Sequence, residues 1–527
     1  SENTKFDQTI TSIPLIGLIA EPIIKLLQET PFLGNLLAPI IGASVATTVS
    51  VNVGTLAAGK QVAYTYFVDS FDGTRISMNY FPASTPSLVL PGQLQATIFN
   101  GPGLGSPGET NPYALLNAGG STPPVATMRG QGLPDPFGSL PLGFNVVTWD
   151  PRGEWASGGV LQLDNPFYEG RDVSALIDWA DANTPLLNED GDPAIAMLGG
   201  SYGGGIQMTT VDPGIDAVVP AIAWNSLNES LYPTNVFKTG WANVLAAALL
   251  LPPGNSASAL NRVNSQITQA LLTGNLFGFI SESGQAVLSS SGPTSLLTKL
   301  DIPTMYVQGI VDALFPLQQA VQNAQTQLEQ NPFFAGDNAD LVKMIWFCGG
   351  HGICTTQTTA QQTEQNTLIF LENLVWANFY TKEYLQQGPF APIGAQLGQF
   401  LDLTAPMQWW DQNGAPWVAL EMPWTSAFQG DPVTGGNLEG GRINSFTSRT
   451  GALTEQDPAA EIGCSITASA CKWPLNQVFA TEAKNAVEVL IPIPVSTDDG
   501  GDPDLFVVGA PKVSFSYSGV GNAKAVY

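Results

Sequence analysis

The chain has 527 residues, of which 44% are hydrophobic and only 12% charged, and its formal net charge is -26. This composition excludes a disordered chain, because the apolar side chains suffice for a large core, and it predicts one large domain with additions. The acidic balance repels phosphate backbones and anionic headgroups, so we expect no nucleic-acid partner. Scarce lysine and four cysteines in two close pairs favour an exported protein, either secreted or held in the cell envelope.

The N-terminal region is apolar but interrupted. Its first nine residues lack the basic-then-apolar order of a signal peptide, so we expect an export signal to have been removed or to lie outside this sequence. Residues 13–41 are cut by prolines at 14, 22, 31 and 39 into pieces far shorter than the ~20 residues that span a bilayer. We treat residues 1–50 as an extension that packs on the main domain, and peripheral lipid contact through 13–41 is the alternative.

Strand and helix patterns alternate in the next part of the chain. An Asp72-Gly73 turn joins two alternating runs as a hairpin, and further strand and helix patterns lead up to Ser201. These patterns cover strands at 62–68, 94–99, 144–149 and 194–198 and a helix at 172–182. Such alternation predicts a mostly parallel sheet.

The strand at 194–198 runs into the sequence Gly199-Gly200-Ser201-Tyr202-Gly203. In a sharp strand-to-helix turn of this Gly-x-Ser-x-Gly type, the serine is held at the apex with its hydroxyl exposed. Ser201 is therefore the candidate nucleophile. The alternative is a glycine-rich turn without chemistry. The glycine-rich loop after Phe99 could supply oxyanion-binding N–H groups, although an ordinary tight turn explains it equally well.

The candidate base is the one histidine of the sequence, His351, in a glycine-rich loop after a predicted strand at 342–347. Asp312 follows the preceding predicted strand at 302–307 and is the candidate acid. The order serine, aspartate, histidine is that of α/β-hydrolases, in which the acid holds Nδ1–H and Nε2 accepts the proton of the serine. Capping of the next helix is the alternative role for Asp312.

Between predicted strands at 217–224 and 302–307 the chain is too long for a simple connection and is rich in helical patterns. We expect residues 225–300 to form a helical cap over the active site. The leucines and alanines of this segment favour the core of the cap itself over an acyl pocket.

These motifs together resemble the family of Xaa-Pro dipeptidyl-peptidases and cocaine-esterase-type serine hydrolases. The resemblance rests on Asp150-Pro151-Arg152-Gly153, on Gly200-Ser201-Tyr202-Gly203, and on Asp312 and His351. Ser230-Leu231-Tyr232-Pro233 is similar to the exported actinobacterial branch. The resemblance implies an α/β-hydrolase fold, a Ser201–Asp312–His351 triad, a helical cap and a C-terminal β-sandwich of jelly-roll type.

The sequence departs from the family at two positions. Trp155 stands where the family usually has a second glycine, and a tyrosine that often helps to form the oxyanion hole is missing after Phe99. We assign the oxyanion donors to the backbone N–H groups of Tyr202 and of Gly103 or Leu104, with Tyr113 as a stand-in for the tyrosine.

Together with the extension at 1–50, the chain is predicted to contain four parts. The catalytic domain comprises residues 51–224 and 301–387 around the cap at 225–300, and beyond 387 short alternating runs predict an all-β domain over 388–527.

We expect disulfides Cys348–Cys354, which would close the loop of His351, and Cys464–Cys471. Neither cysteine pair has the spacing or the neighbouring histidines of a zinc site, so we expect no metal. We also expect no cofactor.

The last strands of the predicted β-domain end abruptly at the C-terminus. Val513, Phe515 and Tyr517 alternate with serines, and the run 523–527 stops at the last residue. We expect a bound C-terminal fragment or a second chain to complete this domain, since an unpaired edge and an uncovered face favour association. An edge strand covered by the N-terminal extension is the alternative.

The predicted function is a secreted or envelope serine hydrolase that cleaves an ester through an acyl-enzyme and takes a small-molecule, lipid or peptide substrate. Ester cleavage is favoured over amide cleavage because the sequence shows no anchor for the free amino terminus of a peptide. An Xaa-Pro-type peptidase, an acyltransferase of the same fold and a non-catalytic envelope protein are the alternatives.

Overall fold

We describe the protein from a computed structural model. It describes residues 63–424, except 85–94, 115–121, 131–142, 190, 253, 352–353, 355–356, 404 and 412. The predicted extension at 1–50, the lipid contact at 13–41, the Cys464–Cys471 disulfide, the C-terminal jelly roll beyond 424 and its incomplete last strands lie outside the described residues.

A ten-stranded sheet forms the centre of the fold. Its strands are β1 (Tyr64–Asp69), β2 (Arg75–Phe81), β3 (Thr97–Gly101), β4 (Asn145–Trp149), β7 (Ile195–Gly200), β8 (Ala217–Ala221), β9 (Thr304–Gly309), β10 (Val342–Phe347), β11 (Met407–Trp410) and β12 (Pro416–Ala419), while β5 (Asn188–Glu189) and β6 (Asp192–Pro193) form a separate ribbon. The order of strands in the sheet is β1-β2-β4-β3-β7-β8-β9-β10-β11-β12. Neighbouring strands from β4 to β11 pair in parallel, whereas β1, β2 and β12 are antiparallel to their neighbours.

The helices of the described residues connect and cover these strands. In chain order they are α1 (Val125–Met128), α2 (Glu169–Asn183), α3 (Tyr202–Thr209), α4 (Leu227–Leu231), α5 (Thr239–Leu250), α6 (Ser265–Phe277), α7 (Glu282–Ser290), α8 (Thr294–Leu297), α9 (Leu317–Gln330), α10 (Thr359–Thr381) and α11 (Ala391–Leu403). Among them, no helix combines the length and the apolar character needed to cross a membrane.

The central strands are buried on both faces, as expected for parallel strands covered by helices. Every residue of β8, β9 and β10 is buried. Their apolar side chains form one core together with side chains of α10 and α11, including Trp376 and Leu397. The predicted mostly parallel sheet is therefore confirmed, and so is the β1–β2 hairpin, where Gly73 has a positive φ of 79°.

The helical insertion between β8 and β9 is present as predicted. It contains α4 to α8, and its apolar side chains pack together with residues of the catalytic domain. This shared cluster includes Leu249 and Ile280 from the insertion and Tyr202 and Phe315 from the catalytic domain. The leucines of the insertion therefore contribute to a core, as the sequence favoured.

The prediction of an all-β domain starting at 388 is wrong for its first part. Residues 391–403 form helix α11, and β11 then adds to the main sheet in parallel with β10, so a further βα unit follows residue 387. The compact unit that contains the sheet ends at Met422. The short alternating runs suggested an all-β domain, but the runs at Met407–Trp410 and Pro416–Ala419 are strands that extend the main sheet, and Pro392 is tolerated in the first turn of the helix before them.

Candidate active site

The strand-to-helix turn at Ser201 has the conformation of a nucleophile elbow. Ser201 lies between β7 and α3 with φ 58° and ψ -116°, a region that residues other than glycine rarely adopt. Its N–H donates a hydrogen bond to the carbonyl oxygen of Ala221, 2.9 Å away. This hydrogen bond holds the turn against β8. The unfavourable backbone conformation is confined to Ser201, the residue whose hydroxyl the turn exposes.

The glycines of the elbow are required by the close approach of three backbones. A Cβ on Gly203 would lie 2.1 Å from the carbonyl oxygen of Gly101, at the end of β3. A Cβ on Gly199 would lie 2.4 Å from the carbonyl oxygen of Gly203. Because such distances are far below van der Waals contact, larger residues would push α3 away from the sheet.

The three side chains singled out in the sequence form one chain of hydrogen bonds. His351 Nε2 lies 2.7 Å from Ser201 Oγ, and His351 Nδ1 lies 2.8 Å from Asp312 Oδ2. Asp312 and His351 are both buried. They follow β9 and β10, whose parallel pairing brings the two loops to the same edge of the sheet.

The carboxylate of Asp312 is held by further donors. Its Oδ1 accepts hydrogen bonds from the N–H groups of Leu314 and Phe315 at 2.8 and 2.9 Å, and its Oδ2 also accepts one from Gln308 Nε2 at 3.2 Å. Asp312 thus stabilises its own loop, whereas Pro316 occupies the N-cap of α9. Sequence reasoning missed Gln308, and its position near the end of β9 was the signal available.

Lys238 connects the insertion to the same loop. Its Nζ donates hydrogen bonds to the carbonyl oxygens of Ala313 and Leu314 at 2.8 and 3.2 Å. Burial lowers the pKa of this lysine, and the negative charge of Asp312 acts in the opposite direction. The loop that carries Asp312 is therefore stabilised by hydrogen bonds of Asp312 itself and by Lys238 of the insertion.

The imidazole of His351 is enclosed by aromatic rings and by a disulfide loop. The rings of Trp241, from α5, and Phe315 meet it edge-on, with centroids 5.7 and 5.2 Å away. Cys348 and Cys354 are disulfide-bonded with Cα atoms 5.2 Å apart, which confirms that predicted pair. The base is thus fixed in a largely apolar surrounding.

The candidate oxyanion donors lie at the elbow and in the loop after β3. Tyr202 is the first residue of α3, where backbone N–H groups have no partner within the helix. The side chain of Leu104 packs on the cluster that contains Tyr202, and the carbonyl oxygen of Gly103 accepts a hydrogen bond from Ser106 N–H. Tyr113, the suggested stand-in, is exposed, and its ring lies 6.0 Å from the guanidinium carbon of Arg129.

A group of buried acidic side chains adjoins the elbow, and sequence reasoning missed it. We call Glu154, Asp164, Glu169 and Asp172 the acidic cluster. The hydroxyl oxygen of Tyr202 accepts a hydrogen bond from the N–H of Asp164 at 3.0 Å, so the cluster contacts the elbow directly. None of the four residues belongs to a motif that contains a triad residue. No local sequence pattern therefore predicted that they would meet.

Burial dominates the electrostatics of the acidic cluster. It raises the pKa of Glu169 to about 8, and neighbouring carboxylates add to burial in raising the pKa values of Glu154 and Asp164 well above their ordinary range. The single cation of the motif, Arg152, binds Asp172 through Nε and Nη2 at 2.7 and 2.6 Å. Its Nη1 also donates to Asp72 in the hairpin turn at 2.8 Å.

The motif Asp150-Pro151-Arg152-Gly153 is therefore structural in its contacts. Arg152 links the hairpin turn to α2, while Asp150 accepts hydrogen bonds from the N–H groups of Gly108 and Ala156. In the described part of the chain, no three or more histidine, cysteine or acidic side chains are arranged to hold a metal ion.

The sheet order, the elbow and the Ser201–His351–Asp312 contacts define the class of the protein: it is an α/β-hydrolase. Within that class, residues 109–332 match the model of the X-Pro dipeptidyl-peptidase (S15) family. The family resemblance inferred from the motifs is thereby confirmed over this segment. The similarity to an actinobacterial branch rests on the motifs alone.

Several solved structures resemble the chain at low sequence identity. An aminopeptidase from a marine sediment Thaumarchaeota archaeon is 14% identical with a TM-score of 0.41, and the match covers 68% of this chain and 59% of that one. An esterase of Pyrococcus furiosus is 14% identical with a TM-score of 0.33, covering 65% and 90%. A puromycin-hydrolyzing peptidase of Mycobacterium tuberculosis is 14% identical with a TM-score of 0.37, covering 62% and 40%. No curated protein sequence is significantly similar to the chain.

Proposed function

We propose that the protein is a serine hydrolase that cleaves an ester or amide bond through an acyl-enzyme intermediate. The observation that supports this most strongly is the unbroken chain of hydrogen bonds from Ser201 Oγ through His351 to Asp312. A strained serine at a strand-to-helix turn, a buried imidazole and a carboxylate held by several donors are the parts that acyl transfer requires.

In the proposed reaction Ser201 Oγ attacks the carbonyl carbon of the substrate while His351 Nε2 accepts its proton. Asp312 keeps Nδ1–H in place and stabilises the imidazolium that forms. The N–H of Tyr202 and that of Gly103 or Leu104 bind the developing oxyanion. His351 then donates the proton to the leaving group, and a water molecule activated by the same imidazole hydrolyses the acyl-enzyme.

The central part of the insertion, residues 239–281, is almost uncharged and supports an ester as the substrate, although Glu229, Lys238, Glu282 and Lys299 flank it. From Thr239 to Ser281 the one charged residue is Arg262, although the whole chain carries a net charge of -26. Because a carboxylate is the usual partner for the ammonium group of a peptide, this part of the cap offers no anchor for one. The rings of Trp241 and Phe315 beside His351 instead favour apolar acyl or alcohol groups.

Xaa-Pro peptide cleavage is the second candidate, because the family model that matches residues 109–332 carries that activity in its name. We further propose an extracytoplasmic location, which the Cys348–Cys354 disulfide supports, since disulfides persist in oxidising compartments. Fractionation of the native host with antibodies to the protein tests this, and a purely cytosolic pool would contradict it.

A fluorophosphonate probe tests the nucleophile. The wild type and the control Ser289→Ala, at an exposed position of α7, should be labelled, whereas Ser201→Ala should not. p-Nitrophenyl esters of increasing acyl length and Xaa-Pro p-nitroanilides then separate the two candidates. Absence of labelling and of turnover in well-folded wild type would refute the enzymatic function, and a preference for the anilides would make the peptidase the correct alternative.

A further inference from the structure

Trp155 has a backbone conformation that suits glycine. Its φ is 42°, and its side chain is 4% exposed. A bulky residue with positive φ is a genuine outlier that costs conformational energy, and such strain persists only where the surroundings impose it. The family that the motifs resemble usually has a glycine at this position. The positive φ explains that glycine, because glycine adopts such a conformation freely. The tryptophan of this chain therefore requires a compensating contact.

The indole of Trp155 makes that contact with the loop after β3. Its Nε1–H donates a hydrogen bond to the carbonyl oxygen of Gly105, 3.0 Å away. Gly105 directly follows Gly103 and Leu104, the two candidates for the second oxyanion donor. We call residues 102–106 the oxyanion loop.

The cap holds the other side of the oxyanion loop. A Cβ on Gly105 would lie 2.2 Å from the carbonyl oxygen of Ala248, so α5 and this loop touch backbone to backbone. Within the loop, Ser106 N–H donates to the carbonyl oxygen of Gly103 at 2.9 Å. The loop is thus held by α5, by the indole and by the Glu154 carboxyl, which accepts a hydrogen bond from the backbone of Gly105.

The backbone at Trp155 is itself tied to the cap. Its N–H donates to Asn255 Oδ1 at 3.1 Å, and Ser256 Oγ donates to the carbonyl oxygen of Gly153 at 2.9 Å. Asn255 Nδ2 also donates to Glu154 Oε2 at 3.2 Å. Trp155 therefore connects the cap, through its main chain, with the oxyanion loop, through its side chain.

We propose that Trp155 is a positioning residue of the reaction: its indole N–H fixes the oxyanion loop so that the N–H of Gly103 or Leu104 faces the developing oxyanion. The inference rests on the proposed function. An oxyanion donor acts mainly in the transition state, so its displacement lowers kcat more than it raises KM. Complete loss of one such donor lowers kcat by about 10²–10³-fold, and a displaced donor should lose part of that.

Two replacements test the role of the indole N–H. Trp155→Phe removes it, and β-(3-benzothienyl)alanine at position 155 replaces it with sulfur at nearly unchanged shape. We expect both to lower kcat about tenfold or more on a p-nitrophenyl ester with KM changed less than threefold. Binding of a trifluoromethyl ketone analogue should weaken in parallel. The matched control is Trp417→Phe in β12, which also loses an indole hydrogen bond, to Asp411, and should behave as the wild type.

Amide hydrogen exchange of residues 103–106 tests the same proposal without a measurement of activity. Exchange should accelerate in both Trp155 variants and not in Trp417→Phe. Unchanged exchange, or a folded benzothienyl variant with kcat within threefold of the wild type, would overturn the role of Trp155. An inactive wild type, or an active Ser201→Ala, would instead refute the proposed function, and the exchange result would still decide whether the indole positions the loop.

Discussion

Two regions of buried carboxyl groups meet the nucleophile elbow, and they are held in opposite ways. The oxygens of Asp312 receive hydrogen bonds from Leu314, Phe315, Gln308 and His351. The acidic cluster that contacts Tyr202 is equally buried, but it brings four carboxyl groups together, and of these Asp172 is paired with Arg152. The difference teaches that burial does not act alone on a carboxyl group: in the acidic cluster, neighbouring carboxylates add to burial in raising the pKa values of Glu154 and Asp164.

Glu169 illustrates the second region. Its oxygens accept hydrogen bonds from the N–H groups of Gln162 and Asn165, yet burial outweighs them and raises its pKa to about 8. At neutral pH most molecules therefore keep this carboxyl protonated. Protonation of Glu169 and Asp164 beside the Asp172–Arg152 ion pair explains how three acidic residues line one small cavity together with Tyr202.

The first prediction, which has the largest expected effect, concerns Asp312, the carboxyl group that receives hydrogen bonds from its own loop and from His351. Asp312→Asn should lower kcat by about 10³–10⁴-fold on activated esters, because an amide favours the wrong imidazole tautomer, and His351→Ala should be at least as severe as 10³-fold. Steady-state kinetics on p-nitrophenyl esters measures the loss. Asp337→Asn, at an exposed position, is the control and should change nothing. Activity of Asp312→Asn within tenfold of the wild type would show that Asp312 does not orient the base.

The second prediction concerns the one cation of the acidic cluster. Arg152→Met leaves the buried Asp172 unpaired, and we expect the free energy of unfolding to fall by about 3–5 kcal/mol. Urea unfolding followed by tryptophan fluorescence measures it. Arg75→Met breaks the exposed pair with Asp69, at 65% and 66% side-chain exposure, and should cost less than about 1 kcal/mol. Equal losses in the two variants would mean that the buried pair contributes no more than a surface pair.

The third and smallest prediction concerns pH. Folded protein keeps the proton of Glu169 up to about pH 8, whereas the unfolded chain releases it near 4.5. Between these values the folded state binds more protons, so stability falls as pH rises, by up to about 1.4 kcal/mol per pH unit. Burial lowers the pKa of Lys382 to about 7, which acts in the opposite direction above that pH. The window from pH 5 to 7 is therefore the informative one.

Glu169→Gln should make the free energy of unfolding decline less steeply from pH 5 to 7. The slope should change by up to about 1.4 kcal/mol per pH unit, which is the effect of one proton. The variant also loses a hydrogen bond at every pH, because its amide N–H₂ faces a backbone donor, so the slope is compared and not the absolute stability. Urea unfolding at several pH values gives both slopes, with Glu329→Gln on the exposed end of α9 as the control. Identical slopes for wild type and Glu169→Gln would contradict a protonated Glu169.

Local patterns explain what the sequence predicted well. Gly-x-Ser-x-Gly after an apolar run, one histidine between two close cysteines, and an aspartate one strand earlier each occupy a few consecutive residues. The alternation of strands and helices then implies that these loops meet at one edge of the sheet. From this the juxtaposition of Ser201, Asp312 and His351, the Cys348–Cys354 disulfide and the helical insertion followed.

The tertiary structure decided what no local pattern encodes. The sequence by itself determined the class of fold and the residues of the candidate site, because turn chemistry and strand spacing act over short distances along the chain. Three features depend on contacts between residues 38 or more positions apart in the sequence. They are the meeting of Asp164 with Tyr202, the addition of β11 to the sheet, and the hydrogen bond from the indole of Trp155 to Gly105. Such contacts are fixed by how helices and loops pack, since burial and the available hydrogen-bond donors are properties of the folded surroundings and not of the residue type.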